Sequence, residues 1–276
     1  MKRATTAIAL SVGALSLCIG TDGARAGVGE GLIGHRAVYD VALQDASDRS
    51  GIEGLEGRLV YQFSGTACSG YTTNFRFVNR IDTGDDVRIT DQQSVMYEDV
   101  KSGRFEFETK SFTDQRLDKG VSGAAQEDDK GIKINLTKPD QRMVEIADSR
   151  FPAAHMIEII KHAERHQHIF ETRIFDGSED GDIGYLTTVV VGDQEKPKKP
   201  DAETRAMGKD LASMPYWPVS IAYYDDKNPG DQLPVYTQTF KLYENGITRD
   251  LTLDYGDFVL KARLKTLDVL DDGACH

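Results

Sequence analysis

The segment YTTNFRFVNRI, residues 71–81, decides the fold class. Its side chains alternate between two faces, as they do along an extended strand. One face is mainly aromatic, with Tyr71, Thr73, Phe75, Phe77 and Asn79. The other face carries Thr72, Asn74, Arg76 and Val78. One face for a core and one for solvent is typical of antiparallel sheets, so this segment predicts a half-buried antiparallel strand.

Similar segments recur along the chain, separated by Gly, Asp, Asn and Ser, which favour turns. They predict strands at 38–43, 59–63, 87–97, around Phe105 and Phe107, and at 132–136, 168–175, 185–191, 219–224, 235–243, 248–255 and 258–267. Many of the links are short enough for hairpins, which join antiparallel neighbours. A sheet of about a dozen strands must curl to protect its edges. We therefore predict an all-β, mainly antiparallel fold, a long meandering sheet curled into an open barrel or spiral.

Two segments break this pattern. Residues 151–166 predict one packed amphipathic helix, because helical spacing gathers four apolar side chains on one face. These are Met156, Ile159, Ile160 and Ala163. Residues 192–213 are charged and interrupted by prolines, which predicts a mobile surface loop with a short helical turn near 206–211.

The N-terminus carries an export signal. Lys2 and Arg3 precede an apolar run at 7–19, and the residues at 24–26 form a small-x-small cleavage site. This pattern predicts a signal peptide at 1–26, cleaved on export, and a single β-spiral domain at 27–276. Removing three basic residues and one acidic residue would change the formal charge from −12 to −14. Lipid attachment at Cys18 is an alternative that the sequence leaves open.

The composition excludes two classes of protein. Only 39% of the residues are hydrophobic, and no second apolar run follows the N-terminal one, which argues against a membrane-spanning protein. The chain has 45 acidic and 33 basic side chains, and it lacks basic stretches with interleaved aromatic residues. Such a surface repels phosphate, so nucleic acid is not an expected partner.

Cleavage at this site would leave two cysteines, Cys68 and Cys275. An even number of cysteines in an exported protein predicts a disulfide. Cys275 lies one residue from the C-terminus, where a covalent tether would order the chain. The alternative is a pair of buried free thiols.

Several stretches together carry a resemblance to a known family. They are CSGYTTNFRF at 68–77, Phe151-Pro152 with His155-Met156, FDGS at 175–178, WPVSI at 217–221, and the terminal Cys275. In this order they resemble the EipB family of periplasmic cell-envelope integrity proteins from alphaproteobacteria. The resemblance implies a long antiparallel sheet wound into an open spiral, a disulfide between Cys68 and Cys275, and a role in envelope homeostasis. It implies no catalytic residues.

The histidines of the predicted helix are the first candidate site. His155, His162 and His166 share one stripe, and an i, i+4 pair can bind zinc. A third ligand within reach is missing, so we predict a solvated helix flank and no metal. The segment DGSEDGD at 176–182 imitates a calcium loop, but its twelfth position is Thr187 rather than glutamate. We predict a hairpin turn whose acidic side chains face water.

The segment with the single tryptophan is a candidate binding site. Tyr216 and Trp217 lie between two prolines, at a predicted strand entrance, where they could stack on a ligand. The alternative is that they fill the core. The sequence has no Gly-x-Ser-x-Gly motif, phosphate loop or dinucleotide fingerprint, and it cannot single out a catalytic carboxylate pair.

We therefore predict a non-catalytic periplasmic protein that supports cell-envelope integrity and needs no cofactor. Its expected partners are envelope proteins or an envelope lipid. A carrier that binds a lipid or other amphipathic molecule inside the curled sheet is the alternative. An envelope-acting hydrolase is a further alternative.

Overall fold

The computed structural model describes residues 31–225, 233–273 and 275. The predicted signal peptide therefore lies outside the described residues. The described strands are β1 (His35–Ala46), β2 (Gly54–Thr66), β3 (Gly70–Asp82), β4 (Val87–Asp99), β5 (Arg104–Thr113), β6 (Arg116–Asp128), β7 (Gly131–Lys138), β8 (Arg142–Ile146), β9 (Ile169–Ile174), β10 (Tyr185–Val191), β11 (Tyr216–Asp225), β12 (Tyr236–Tyr243), β13 (Thr248–Asp254) and β14 (Phe258–Val269). The helices are α1 (Pro152–Glu164), α2 (Ala202–Ala206) and α3 (Gly208–Ala212).

All 14 strands belong to one sheet, in which every neighbouring pair is antiparallel. The order is β8-β7-β6-β5-β4-β3-β2-β1-β14-β13-β12-β11-β10-β9. The chain therefore meanders from strand to strand, except that β1 and β14 pair and that β8 and β9 occupy the two ends. The sheet is curled but not closed, which confirms the predicted all-β antiparallel fold.

Helix α1 connects the two ends of the sheet. The ends approach each other at one isolated parallel bridge, where Arg150 donates its N–H to Arg173 O at 2.7 Å and accepts from Phe175 N at 2.9 Å. Helix α1 begins two residues after this bridge, with Pro152 in its first turn, where the missing N–H costs nothing. The predicted helix is therefore present, and it buries Ile159, Ile160 and Ala163 against the sheet.

The inner face of the sheet carries two apolar clusters. The larger one joins strands from β1–β3 and β9–β14 with the buried face of α1. The smaller one contains Phe105, Phe107, Val121, Ala125, Ile132, Ile134, Leu136, Phe151 and Phe175. Phe151 and Phe175 flank α1 and β9 in sequence, so the residues that join the two ends of the sheet also cover the inner face of β5–β7.

Strands β6 and β8 were not predicted. The core of β6 is KGVSGAAQ, which contains glycine and alanine where a typical strand has aromatic or β-branched residues. Pairing with β5 and β7 imposes the extended conformation instead. A Cβ atom at Gly123 would lie 2.8 Å from Asn135 O, so this close approach requires glycine.

The predicted loop at 192–213 is wrong at helix α2, whereas α3 lies where a short helical turn was predicted, near 206–211. Asp201 caps α2, because its side chain accepts from Thr204 N at 2.7 Å while Thr204 Oγ1 accepts from Asp201 N. Glu203 and Met207 are each only 5% exposed. This charged segment therefore contains a helix, α2, that packs against β14.

Candidate functional site

A cavity of about 260 Å³ lies between helix α1 and the inner face of the sheet. Alternation along the strands builds its wall, since residues two apart point the same way. Leu59, Tyr61 and Phe63 of β2 all line it. Ile221 of β11 and Phe240 of β12 also line it. The cavity is therefore mainly apolar and aromatic.

Helix α1 supplies one wall of the cavity through Pro152, Ala153, His155, Met156 and Ile159. His155 and Ile159 are one turn apart, so the same helical stripe carries a histidine and an apolar residue into the interior. His155 is only 3% exposed, and its Nε2 atom has no hydrogen-bond partner among the described residues. The helix thus brings an unpaired polar atom to an apolar wall.

Burial controls the charge of the histidines that line the cavity. It lowers the pKa of His155 from 6.5 to about 4, so this imidazole is neutral near pH 7. Burial also lowers the pKa of His35, although a hydrogen bond between His35 Nδ1 and Ile33 O at 2.9 Å opposes the shift. Both lining histidines therefore favour the uncharged form.

Glu98 of β4 binds the N-terminus of α1 beside the cavity. Its two carboxylate oxygens accept from Ala153 N at 2.6 Å and from Ala154 N at 2.8 Å. Burial raises the pKa of Glu98 to about 7, and the two backbone hydrogen bonds only partly offset that shift. A carboxyl from β4 therefore satisfies helix N–H groups that the α1 sequence itself leaves uncapped.

The predicted histidine flank is wrong for His155, which faces the cavity rather than solvent. His162 stacks on Phe170 with ring centroids 3.8 Å apart, and His166 is exposed. The three histidines therefore occupy different environments. Among residues 31–225, 233–273 and 275, no group of three or more His, Cys, Asp or Glu side chains is placed to hold a metal ion.

Tyr216 and Trp217 lie in the larger apolar cluster, 6% and 5% exposed. Tyr216 donates its hydroxyl to Glu195 Oε2 at 2.9 Å, and its ring centroid lies 5.3 Å from Arg249 Cζ. Neither residue is among those that line the cavity under α1. Their predicted stacking on a ligand stays a prediction, and this cavity does not support it.

The segment at 176–182 links β9 and β10, which pair as a hairpin. Lys119 Nζ lies 2.9 Å from Asp180 and 3.6 Å from Glu179, so these carboxylates pair with a cation at the surface. Gly177 and Gly181 are buried instead, against Phe107 of the smaller cluster. The segment is thus a hairpin connection that also covers part of the core.

Cys68 and Cys275 are joined as a disulfide, with Cα atoms 5.7 Å apart. Residues after β14 reach this point past the start of β1 and the end of β2. Leu270 donates its N–H to Gly34 O at 2.9 Å, and Asp272 accepts from Gly65 N at 2.9 Å. The C-terminal segment is therefore fixed to the turn between β2 and β3 by hydrogen bonds and a covalent link.

The EipB-like family model matches residues 27–271. The cell envelope integrity protein EipB of Brucella abortus is 48% identical over 243 residues, which cover 88% of this chain and 86% of the relative. The chain belongs to the EipB-like family. This confirms the family that the sequence motifs indicated.

A solved structure shows the same fold. It is a crystal structure of a β-barrel-like protein, a domain of unknown function from Brucella abortus. It is 47% identical to this EipB-like chain and superposes with a TM-score of 0.84, covering 88% of this chain and all of that one. None of the described helices of this EipB-like chain is long and apolar enough to span a membrane.

Sequence reasoning named His155 but predicted that it faces solvent, and it missed Glu98. The buried position of His155 could have been found, because it lies one helical turn before Ile159 on the predicted apolar stripe. Glu98 gives no such signal, since it ends a strand and its partners lie 55 and 56 residues away in α1. Only the curl of the sheet brings it to the helix.

Proposed function

We propose that this EipB-like protein is a non-catalytic periplasmic protein that supports cell-envelope integrity. The observation that carries the proposal is its 48% identity, over 243 residues, to a Brucella abortus protein named for cell-envelope integrity. At this identity, and with 86% of the relative covered, a shared cellular role is the simplest expectation.

Two features support export to the periplasm. The N-terminal residues have the charge, the apolar run and the cleavage site of a signal peptide. The Cys68–Cys275 bond needs an oxidising compartment, which the bacterial periplasm provides. Both features support a folded protein in the periplasm.

Deletion of the gene tests the envelope role. We expect the deletion strain to become sensitive to detergents and to cell-wall antibiotics, and the intact gene to restore resistance. The matched control is a gene that encodes Met followed by residues 27–276. It supplies the same domain without the export signal and should not restore resistance. Unchanged sensitivity after clean deletion in several strains would contradict the proposal.

A second candidate function is favoured by the cavity under α1. The curled sheet could carry a lipid or other amphipathic envelope molecule, because the cavity is lined mainly by apolar and aromatic side chains. Native mass spectrometry of protein purified from the periplasm checks this. A co-purified acyl species supports the carrier, whereas a clean apo mass counts against it.

Turnover assays test the non-catalytic part of the proposal. The purified protein is incubated with peptidoglycan and with envelope lipids, and the products are separated by chromatography. We expect no turnover above a heat-denatured control. Product formation that scales with protein concentration would instead assign an envelope-acting hydrolase.

A further inference from the structure

His155 carries a hydrogen-bonding nitrogen that the described part of the fold leaves without a partner inside the cavity. Its side chain is buried, it lines the cavity, and Nε2 has no partner among the described residues. Buried polar atoms are almost always hydrogen-bonded. An unpaired nitrogen in a cavity wall therefore points to a ligand that supplies the missing partner.

The size and lining of the cavity restrict that ligand. At about 260 Å³ the cavity is slightly smaller than pockets that enclose drug-sized molecules, which are about 300–1,000 Å³. It can therefore enclose a single chain or ring rather than a whole lipid. Leu59, Ile221 and Phe240 offer no hydrogen bonds, so the enclosed part should be hydrocarbon.

The charges around the cavity argue against an acidic ligand. None of the described lining residues is Lys or Arg. The carboxyl of Glu98 does not line the cavity, and it binds the N–H group of the lining residue Ala153. A free carboxylate inside the cavity would lose its hydration and gain no cation.

We propose that the cavity under α1 binds an acyl chain in a neutral ester or amide linkage, and that His155 Nε2 donates a hydrogen bond to the carbonyl of that linkage. The inference rests on the carrier function proposed above and names its ligand class. It deepens that function by assigning specificity to one residue. A free fatty acid would bind more weakly, because its carboxylate is charged at neutral pH.

Displacement of a fluorescent probe tests the ligand class. Protein expressed from the full coding sequence is loaded with N-phenyl-1-naphthylamine at pH 8 and titrated with methyl decanoate, decane or decanoate. We expect methyl decanoate to displace the probe at about tenfold lower concentration than decane, the effect of one neutral hydrogen bond. Decanoate should be at least tenfold weaker than the ester.

Two substitutions locate the site. Ile221→Phe adds volume inside the cavity, where Ile221 is 2% exposed, and should weaken probe binding at least tenfold. Ile89→Phe is the matched control, since Ile89 is 52% exposed on β4 and the same change there should leave binding within twofold. Far-UV circular dichroism and the midpoint of thermal unfolding show that each variant folds.

Substitution of the histidine tests its role. For each competitor the assay gives the concentration that displaces half of the probe. In His155→Leu the ratio of this concentration for decane to that for methyl decanoate should fall from about ten to about one, while the probe still binds. In His155→Gln the side-chain amide can still donate a hydrogen bond, so the preference for the ester should be largely kept. If His155→Leu does not fold, His155→Met, whose thioether cannot donate a hydrogen bond, takes its place with the same expected loss of ester preference.

The outcomes separate the two proposals. No probe binding by the unmodified protein would overturn the carrier function and this inference together. Probe binding that is blocked by Ile221→Phe, with equal displacement by ester, decane and decanoate, would keep the carrier and overturn the ligand class. An ester preference that survives in His155→Leu would overturn the role of His155, and binding that survives in Ile221→Phe would overturn the assigned cavity.

Discussion

Single residues decide where α1 sits on the sheet. Glu98 holds its first turn through two backbone N–H groups, and His155 and Ile159 line the cavity beneath it. The two titratable residues respond to burial in opposite ways, because burial favours the neutral form of each. The pKa of the Glu98 carboxyl is raised to about 7 and that of the His155 imidazole is lowered to about 4.

The raised pKa of Glu98 predicts a pH dependence of stability. Between its usual pKa of 4.5 and about 7, the folded protein keeps the Glu98 proton while the unfolded chain releases it. The folded state thus binds more protons, and this contribution to the free energy of unfolding is complete below pH 4.5 and lost as pH rises through 7. Glu98→Gln lacks this titration. Relative to it, the unmodified protein should lose about 2–3 kcal/mol between pH 4.5 and pH 8.

Urea unfolding of both proteins at several pH values measures this difference. The opposite titration of His155 is present in both proteins and cancels in the comparison. The quantity compared is the unfolding free energy of the unmodified protein minus that of Glu98→Gln. If this difference stays constant or increases as pH rises, the Glu98 carboxyl is ionised throughout.

The surroundings of Gly177, in the turn between β9 and β10, predict that any larger residue there would clash with its neighbours. Its φ is +69°, and a Cβ atom there would lie 2.5 Å from two ring carbons of Phe107. Gly177→Ala should therefore lower the free energy of unfolding by about 2–4 kcal/mol, from left-handed strain plus overpacking. Gly208→Ala is the control, because φ is +77° and no atom lies within 4 Å. It should cost only about 1 kcal/mol. Equal losses in chemical denaturation would refute the clash.

At the scale of elements, a buried ion pair attaches α2 to the sheet. Arg249 of β13 is 1% exposed, and it donates Nε to Tyr243 Oη at 2.8 Å and Nη1 to Asp201 at 3.2 Å. Glu203 of α2 lies 3.7 Å from the same guanidinium and accepts from Asp250 N and Leu264 N. A helix of five residues is too short to be stable alone, so these contacts maintain it.

Arg249→Met should destabilise the protein by about 3–5 kcal/mol, because it leaves the Glu203 carboxylate buried without its cation. The matched control is Arg58→Met. Arg58 pairs with Asp40 at 3.0 Å, but the two side chains are 62% and 45% exposed, and such pairs contribute at most about 1 kcal/mol. Thermal and urea unfolding of both variants checks the contrast. Similar losses would mean that Arg249 contributes no more than a surface pair.

At the scale of the whole molecule, the sheet is continuous through the pairing of its first and last strands. Strand β1 pairs with both β2 and β14, so the N-terminal and C-terminal halves of the meander meet at one central strand. The disulfide lies just beyond this junction and links residues 207 apart in sequence. It closes residues 68–275 into one loop and leaves β1 and β2 outside that loop.

Removing this bond should therefore destabilise the molecule globally. For a loop of this length the chain-entropy model gives up to about 5 kcal/mol. We expect Cys68→Ser/Cys275→Ser to shift the urea midpoint downward, and reductant to shift the unmodified protein by the same amount. Reductant should have no effect on the double variant. An unchanged midpoint in both experiments would show that the bond contributes nothing to stability.

The alternating pattern of side chains by itself determined the antiparallel sheet and most of its strands, and the helical spacing of apolar residues determined its packed helix. Residues 71–81 are the clearest case, since they lie within β3 and pair with β2 and β4 along their whole length. This was possible because the two-residue period and the hairpin turns are local properties of the chain. The same local signal missed β6, where small residues are extended only because two neighbours pair with them.

The tertiary structure alone decided where the cavity lies and which polar groups reach it. The curl of the sheet results from the twist between neighbouring strands, accumulated over 14 strands, and a local sequence pattern does not specify that total. It brings Glu98 to a helix 55 residues away and places His155 over apolar residues of distant strands. Burial then sets their charge states, because the cost of ionisation depends on the surrounding protein and not on neighbours in sequence.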